Sequence, residues 1–252
     1  GKTYTMLGEP GNEGLITRAV NRLFESKDEI IQYSKGTSTV EISMELLEIY
    51  NEKIRDLLSN KETETNGKED ELKVSASEVV GNARLATKSQ SEVLKILEHA
   101  QKRRCVKATA SNAVSSRGHM IFTIHFVVKV QNGATRAGKL HICDLAGSER
   151  LGKSNANEVV GGALLEETKN INSSLSVLSN VIEKLQAGSP QVPYRESKLT
   201  RLLQNSLGGN SKTLAIVCCN PLPSHYSESM CSLRFADKVN RVDLKAVANF
   251  SC

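Results

Sequence analysis

Hydrophobic residues recur at helical spacing in two parts of the chain. Over residues 164–185 they stand three and four positions apart, which places them on one stripe of a helix. The stripe consists of Ile171, Leu175, Leu178, Ile182 and Leu185. Residues 14–24 show the same spacing, and we interpret them as the continuation of a helix that begins at the start of the chain.

Runs of β-branched and apolar residues predict strands elsewhere. Residues 121–128 and 214–219 are predicted to be core strands, and residues 140–143 a buried strand that leads into Asp144. Residues 61–71 are rich in Glu, Lys, Thr and Asn, which predicts a surface loop. Because strands alternate with helices, we predict an α/β fold with a mostly parallel central sheet and helices on both faces.

Composition narrows the classes of function. The 252 residues suffice for one large domain, and there is no apolar run of about 18 residues, so we expect no membrane insertion. The six cysteines show no metal-ligand spacing, from which we expect reduced thiols and no zinc. A net charge of +5 suits an acidic partner, but the absence of Trp and the few aromatic residues argue against nucleic acid.

Two short strings point to a phosphate site. Gly1, Lys2 and Thr3 match the end of G-x-x-x-x-G-K-[ST], a loop whose backbone N–H groups, lysine and hydroxyl bind phosphates and Mg²⁺. Asp144 and Gly147 form a D-x-x-G string after the predicted strand, where α/β sheets place ligand groups. Taken alone, the first string also fits a simple helix start and the second an ordinary turn.

The combination with four further residues is more specific. Ser115, Ser116 and Arg117 precede the predicted strand at residues 121–128, and Glu149 follows Gly147 by two positions. Two small hydroxyls, an arginine and a glutamate are the groups that a sensor of a γ-phosphate needs. We therefore interpret these segments as two nucleotide switches.

With these strings the chain resembles a kinesin motor domain almost from end to end. The resemblance is carried by residues 50–58, 112–119, 144–150, 170–176, 192–200 and 206–210. It implies a P-loop NTPase fold of the kinesin type over residues 1–252. It also implies that the opening strands and most of the phosphate loop precede Gly1. We thus interpret the chain as an amino-truncated fragment or an incomplete gene model, and expect this piece alone to be poorly soluble and inactive.

The resemblance implies ATP hydrolysis with Mg²⁺ and assigns roles by position. Gly1 and Lys2 would contact the phosphates. Thr3 and Ser116 would ligate Mg²⁺, and Asp144 would hold it through a bound water. The Gly147 N–H would sense the γ-phosphate and Ser115 would orient the attacking water. Arg117 and Glu149 would form an ion pair that latches the switches. Tyr4 either lies beside the adenine or is a core tyrosine.

A microtubule is the implied partner. The resemblance places Arg195, Lys198 and Arg201 near acidic tubulin, and we expect Lys184 to belong to the same surface. At their spacing Arg195, Lys198 and Lys184 also fit a solvated charged face. Residues 230–244 resemble the ending of carboxyl-terminal-motor kinesins, which are typically minus-end directed. Implied locations are the cytoplasm and the microtubule cytoskeleton, with the spindle as a candidate. The full protein is a candidate dimer through a stalk outside this chain.

Two departures from the family pattern keep alternatives open. Gly118 stands where kinesins commonly carry serine, and Ser173 where they usually carry lysine. These departures and the broken phosphate loop motivate a microtubule-binding module with little or no ATP turnover as an alternative. A GTPase-like switch also fits the D-x-x-G string, but a guanine-reading N-K-x-D string is absent.

Overall fold

The structure, a computed structural model, describes residues 1–9, 11–59, 72–106, 118–131, 133–147, 162–244 and 246–247. For residues 103–106 and 162–172 it describes the backbone alone. The helices are α1 (Lys2–Leu7), α2 (Leu15–Tyr33), α3 (Gln90–Val106), α4 (Gly162–Gln186), α5 (Lys198–Leu202), α6 (Gln204–Gly208) and α7 (Tyr226–Asn240). The strands are β1 (Gly8–Glu9), β2 (Asn12–Glu13), β3 (Ser38–Tyr50), β4 (Lys53–Asp56), β5 (Lys73–Ser75), β6 (Glu78–Val80), β7 (Leu85–Thr87), β8 (His119–Val130) and β9 (Thr135–Asp144).

The central sheet has the order β4-β3-β8-β9, with β7 also paired to β3. Each of these pairings is antiparallel, so the prediction of a mostly parallel sheet is wrong for the described strands. Two of these pairings, β3 with β4 and β8 with β9, follow from short connections, because a tight turn can join only antiparallel strands. Asn51 and Glu52, with φ of 52° and 56°, form the turn between β3 and β4.

Helices cover both faces of this sheet, as predicted. On one face, β3 residues such as Ile42 and Met44 and Phe122 of β8 pack against α2 and α3. On the other face, Leu47 of β3 and Ile121 of β8 pack against α4 and α5. The alternation follows from the two-residue period of a strand, and burial on both faces explains why most residues of β8 are apolar.

The predicted amphipathic helix over residues 164–185 is confirmed as α4. Leu178 and Ile182 of its stripe are buried, and Leu175 and Leu185 pack against the same cluster. Hydrophobic burial of this stripe, at about 25 cal/mol per Å², fixes α4 on the sheet. Among the described residues, no helix has the length and apolar character that crossing a bilayer requires.

The first predicted helix is interrupted. α1 ends at Leu7, and the β1–β2 hairpin separates it from α2. Gly8, which follows the last residue of α1, and Gly11, between β1 and β2, have φ of 75° and 84°, positive values that glycine adopts readily because it has no Cβ. Residues 15–24 are therefore helical, as predicted, but they belong to a separate helix whose N-cap is Gly14.

The strand predicted at residues 214–219 is wrong. This segment has no regular structure, no described strand pairs with it, and Leu214 is 83% exposed. An apolar, β-branched run becomes a strand only when a partner supplies hydrogen bonds. The segment instead passes beside α1, where Sγ of Cys218 lies 3.8 Å from Oγ1 of Thr5.

Candidate functional site

The start of the chain and the end of β9 meet at one place. The Thr3 hydroxyl donates a hydrogen bond of 2.9 Å to Oδ2 of Asp144, across 141 positions of sequence. Thr3 is held on α1, and Asp144 is the last residue of β9 and is 3% exposed. The two strings that pointed separately to a phosphate site are thus brought together, which neither string alone could establish.

Asp144 has a second oxygen for which the fold supplies no partner. Its Oδ1 is buried and lacks a hydrogen-bond partner among the described residues. A buried carboxylate oxygen left in this state is costly unless a cation or water occupies the position. Mg²⁺ prefers hard oxygen ligands and keeps several waters, so the Thr3 hydroxyl and the Asp144 carboxylate fit it.

The neighbouring thiol carries no charge. Burial raises the pKa of Cys143 to about 12, which leaves it protonated at neutral pH. The carboxylate of Asp144 is therefore the acidic group that β9 presents beside Thr3. A neutral, partly buried thiol packs as a small hydrophobic group.

A buried histidine holds the loop that follows Asp144. The backbone N–H of Ala146 donates to Nδ1 of His119 at 3.0 Å, and Nε2 of His119 lies 2.9 Å from Oγ of Ser174 on α4. His119 and Ser174 are each 2% exposed, and Gly147 is buried. Ser174 was not among the residues predicted for the site. Its place one turn before Leu178 on the apolar side of α4 is the signal that could have found it.

The other predicted nucleotide residues of the first segment lie on or beside α1. Lys2 forms no ion pair within the described part of the chain, so its ammonium group is available to a phosphate. Tyr4 is 48% exposed and accepts a hydrogen bond from the Asn12 amide, so the alternative of a core tyrosine is wrong. Four predicted residues, Ser115, Ser116, Arg117 and Glu149, lie outside the described residues.

Gly118, one of the two departures, is packed tightly. A Cβ atom at this position would lie 2.8 Å from Oε1 of Glu48. Glu48 is 3% exposed, and its Oε2 lies 3.7 Å from Nη1 of Arg55. The absence of a side chain at position 118 therefore makes room for a buried carboxylate on β3. The other departure, Ser173, is exposed on α4.

The four residues predicted to face a microtubule come from consecutive, mutually packed elements. Lys184 lies in the last turn of α4, Arg195 in the 3₁₀ turn Tyr194–Glu196, and Lys198 and Arg201 in α5. Lys184 and Arg195 are exposed, while Lys198 and Arg201 are partly buried. The Ser197 hydroxyl caps α5 by accepting from the Thr200 N–H at 3.0 Å. The structure thus groups these four cations on the α4 and α5 side of the sheet.

A further ionic cluster lies on the same face of the sheet and was not predicted. Glu45 of β3 accepts from Nε2 of His125 at 2.9 Å and from Nε of Arg84 at 2.7 Å. Burial raises the pKa of Glu45, but the hydrogen bonds from His125 and Arg84 together outweigh it and lower this pKa to about 2. Lys139 of β9 pairs with Glu78 of β6, which ties the β5–β6 hairpin over this cluster.

Comparison with known proteins agrees with these features. The family described as the kinesin motor domain matches residues 1–242. The chain is 42% identical over 254 residues to kinesin-like protein 3 of Schizosaccharomyces pombe, covering 99% of this chain and 44% of that protein. It is 44% identical over 252 residues to kinesin-like protein KIN-14C of Oryza sativa, covering 98% of this chain and 25% of that protein. It therefore spans less than half the length of these relatives.

A solved structure shows the same architecture. The chain superposes on a KIF14 dimer in complex with a microtubule with a TM-score of 0.84 and 32% identity, covering 99% of this chain and 70% of that one. The predicted kinesin fold class is confirmed by this agreement, with the correction to strand direction given above. By the extent of the family match and the identity to its relatives, the chain belongs to the kinesin motor domain family.

Proposed function

We propose that this chain is the motor part of a microtubule-stimulated ATPase, which couples ATP hydrolysis to movement along microtubules. The observation that carries the proposal is the contact of Thr3 with Asp144, because it joins the phosphate-loop string to the acidic end of β9. The orphan Oδ1 of Asp144 supports a cation at the same point. Family membership supports the choice of ATP and microtubules over other nucleotides and partners.

Among the described residues, some bind the phosphates and Mg²⁺ and others position the groups that act in phosphoryl transfer. Lys2 neutralises charge on the outer phosphates, while Thr3 and Asp144 hold Mg²⁺, Asp144 through a bound water. When bound, Mg²⁺ supplies charge neutralisation between the outer phosphates. Gly147 offers its backbone N–H to the γ-phosphate from a loop that the bond between Ala146 and His119 holds in place. Tyr4, which is exposed, lies beside the adenine.

The remaining roles fall to residues outside the described ranges. Ser116 is a second Mg²⁺ ligand, and Ser115 orients the attacking water. Arg117 and Glu149 form the ion pair that closes the two switches. Removing one member of such a pair leaves an uncompensated charge in a closing site, so hydrolysis is expected to suffer more than nucleotide binding.

The proposed track-binding surface is formed by Lys184, Arg195, Lys198 and Arg201. A cluster of cations on one side of the molecule attracts the acidic tubulin surface and raises the rate of encounter. The resemblance of residues 230–244 to carboxyl-terminal-motor kinesins, together with similarity to KIN-14C, supports movement toward the minus end. In this proposal the full protein acts on cytoplasmic microtubules, and it is a dimer through a stalk beyond this chain.

Phosphate release from ATP, with and without microtubules, tests the proposal. The protein is expressed with whatever residues precede Gly1 in its gene, and GTP is compared with ATP. Strong microtubule stimulation with ATP supports the motor. Microtubule binding without turnover, whatever the nucleotide, would favour the inert binding module, and a preference for GTP would favour a GTPase-like switch. Gliding of polarity-marked microtubules gives the direction, and plus-end motion would contradict it.

A further inference from the structure

His119 has both ring nitrogens engaged, and the two contacts fix its tautomer. Because the Ala146 N–H donates to Nδ1 at 3.0 Å, Nδ1 carries no proton. The ring proton therefore resides on Nε2, which donates to Oγ of Ser174 at 2.9 Å. The side chain is a neutral imidazole that bridges a loop and a helix from the first residue of β8.

The hydrogen bond from Ala146 to His119 lies within the loop that carries the nucleotide-site residues Asp144 and Gly147. Ala146 lies between Asp144, which contacts Thr3, and Gly147. Ala146 is 3% exposed, so its N–H cannot turn to bulk water if it loses the histidine. The position of His119 therefore sets the position of the backbone next to Gly147.

The helix contact reaches the other functional surface. Ser174 is buried on α4, and α4 continues through Leu178 and Ile182 to Lys184 in its last turn. A shift of α4 along or around its axis changes the distance between Oγ of Ser174 and Nε2 of His119. The chain of contacts from α4 through Ser174 and His119 to Ala146 is thus continuous.

We infer that His119 is a positioning residue that couples the position of α4 to the geometry of the loop over residues 144–147. This inference rests on the proposed function, because it makes the His119–Ser174 bond a route by which a partner on α4 alters hydrolysis. Coupling of this kind is reciprocal for binding, so the nucleotide also alters affinity for the partner. The residue itself transfers no proton and contacts no substrate.

Three variants separate the two hydrogen bonds of His119, one to Ala146 and one to Ser174. His119→Asn places an amide oxygen near the position of Nδ1 but does not reach Ser174, whereas His119→Gln reaches toward Ser174 and deprives Ala146 of its acceptor. Ser174→Ala removes the hydroxyl alone. The matched control is Ser176→Ala, the same substitution at an exposed position of the same helix. Thermal melts of all four establish that they fold.

The readouts are basal turnover, microtubule-stimulated turnover and KM for ATP. Ser174→Ala and His119→Asn are expected to lower the ratio of stimulated to basal turnover by about fivefold or more, with a much smaller change in KM. Combining them is expected to cost no more than either alone, because both break one bond. His119→Gln is expected to lower basal turnover as well. Long-range ¹H–¹⁵N spectra of the wild type are expected to show protonated Nε2 and unprotonated Nδ1.

The outcomes that overturn the inference differ from those that overturn the proposed function. If the wild type is stimulated and Ser174→Ala keeps the full ratio, or loses no more than Ser176→Ala, the coupling is refuted while the motor stands. Additive losses in the double variant, or a proton on Nδ1, refute it as well. If the wild type shows no stimulation, the proposed function fails and the inference fails with it.

Discussion

A Cβ atom at position 118 would lie 2.8 Å from Oε1 of Glu48 and 3.3 Å from its Cγ and Cδ, so the missing side chain of Gly118 and the buried carboxylate of Glu48 are complementary. Glu48 is held on its other side by Arg55, which also lies over the Tyr50 ring at 5.0 Å. A side chain at position 118 would displace this carboxylate from its place beside Arg55. The departure from the family's serine is therefore accommodated by packing at this point.

We predict that Gly118→Ala destabilises the protein by about 1 to 2 kcal/mol, because overpacking a buried site forces neighbours off their preferred positions. For a domain of this size, that corresponds to a fall in melting temperature of about 2 to 4 °C per kcal/mol, measurable by circular dichroism. The double variant with Glu48→Ala is expected to lose less stability than the sum of the losses in the two single variants, because the second change removes the clash.

The control for this prediction is Gly138→Ala. Gly138 lies exposed in β9, and a Cβ atom there would have nothing within 4 Å. This variant is expected to be neutral or slightly more stable, since alanine reduces the entropy of the unfolded chain. Equal destabilisation by the two variants would show that steric conflict with Glu48 is not the cause.

A second prediction concerns Asp144→Asn, which keeps the size of the side chain and removes its charge. We expect turnover to fall about a hundredfold, a loss typical of removing one preorganised electrostatic group, and the Mg²⁺ concentration required to rise. Single-turnover phosphate release over a Mg²⁺ titration measures both, and a fluorescent nucleotide measures binding. Asp243→Asn, at an exposed position, is the control. Turnover within a fewfold of wild type would contradict the role given to Asp144.

Patterns within one segment predicted local structure well. The apolar stripe of residues 164–185 predicted α4 because a helix and its packing face depend on spacing alone. The motif strings likewise predicted that Thr3 and Asp144 belong to one site, and their 2.9 Å contact confirms this proximity. The roles of both residues in catalysis stay predictions.

Other relationships between distant segments could not be predicted from the sequence. Residues 214–219 have strand composition and no strand, because pairing depends on a neighbour that composition does not reveal. Likewise, nothing in the sequence places Ser174 against His119 or Glu48 against Gly118. The predicted strand direction was also wrong. Alternating helices and strands suggested crossover connections, whereas β8 and β9 form a hairpin. The contact of Glu48 with Gly118 depends on the register of β3 on β8, of which periodicity fixes only the face that each residue occupies.

Glu45 provides a prediction of pH dependence. Its pKa is lowered in the folded protein from 4.5 to about 2, so its interactions with His125 and Arg84 stabilise the fold fully above pH 4.5. That stability is lost as the pH falls from 4.5 toward 2, because the folded state then takes up a proton that the unfolded state already holds. We expect Glu45→Gln to cost on the order of 2 kcal/mol at pH 7, and the difference from wild type to shrink across this interval.

Urea denaturation at a series of pH values measures the effect. Glu41→Gln is the matched control, because Glu41 lies on the same strand and pairs with Lys129, but both side chains are more than half exposed. An exposed pair contributes about 0 to 1 kcal/mol, so this variant is expected to be close to wild type at each pH. A Glu45→Gln difference that stays constant between pH 7 and pH 2 would contradict the assignment.

The last prediction tests the cationic surface by reversing charge. Lys184→Glu and Arg195→Glu are expected to raise the microtubule concentration for half-maximal binding by about fivefold each at low ionic strength, which corresponds to about 1 kcal/mol per site. The difference is expected to shrink as salt is added, because exposed charges are screened beyond about 10 Å at 0.1 M. Cosedimentation with microtubules over a salt series measures both effects.

The control is Lys95→Glu, which makes the same change of charge on α3. Lys95 is exposed, and α3 covers the opposite face of the sheet from α4. If net charge alone governed attraction to tubulin, Lys95→Glu would weaken binding as much as Lys184→Glu, and the location of the surface would be wrong. If the α4 side is the docking face, Lys95→Glu leaves binding near the wild-type value, because its charge lies on the far side of the domain and is screened from the track.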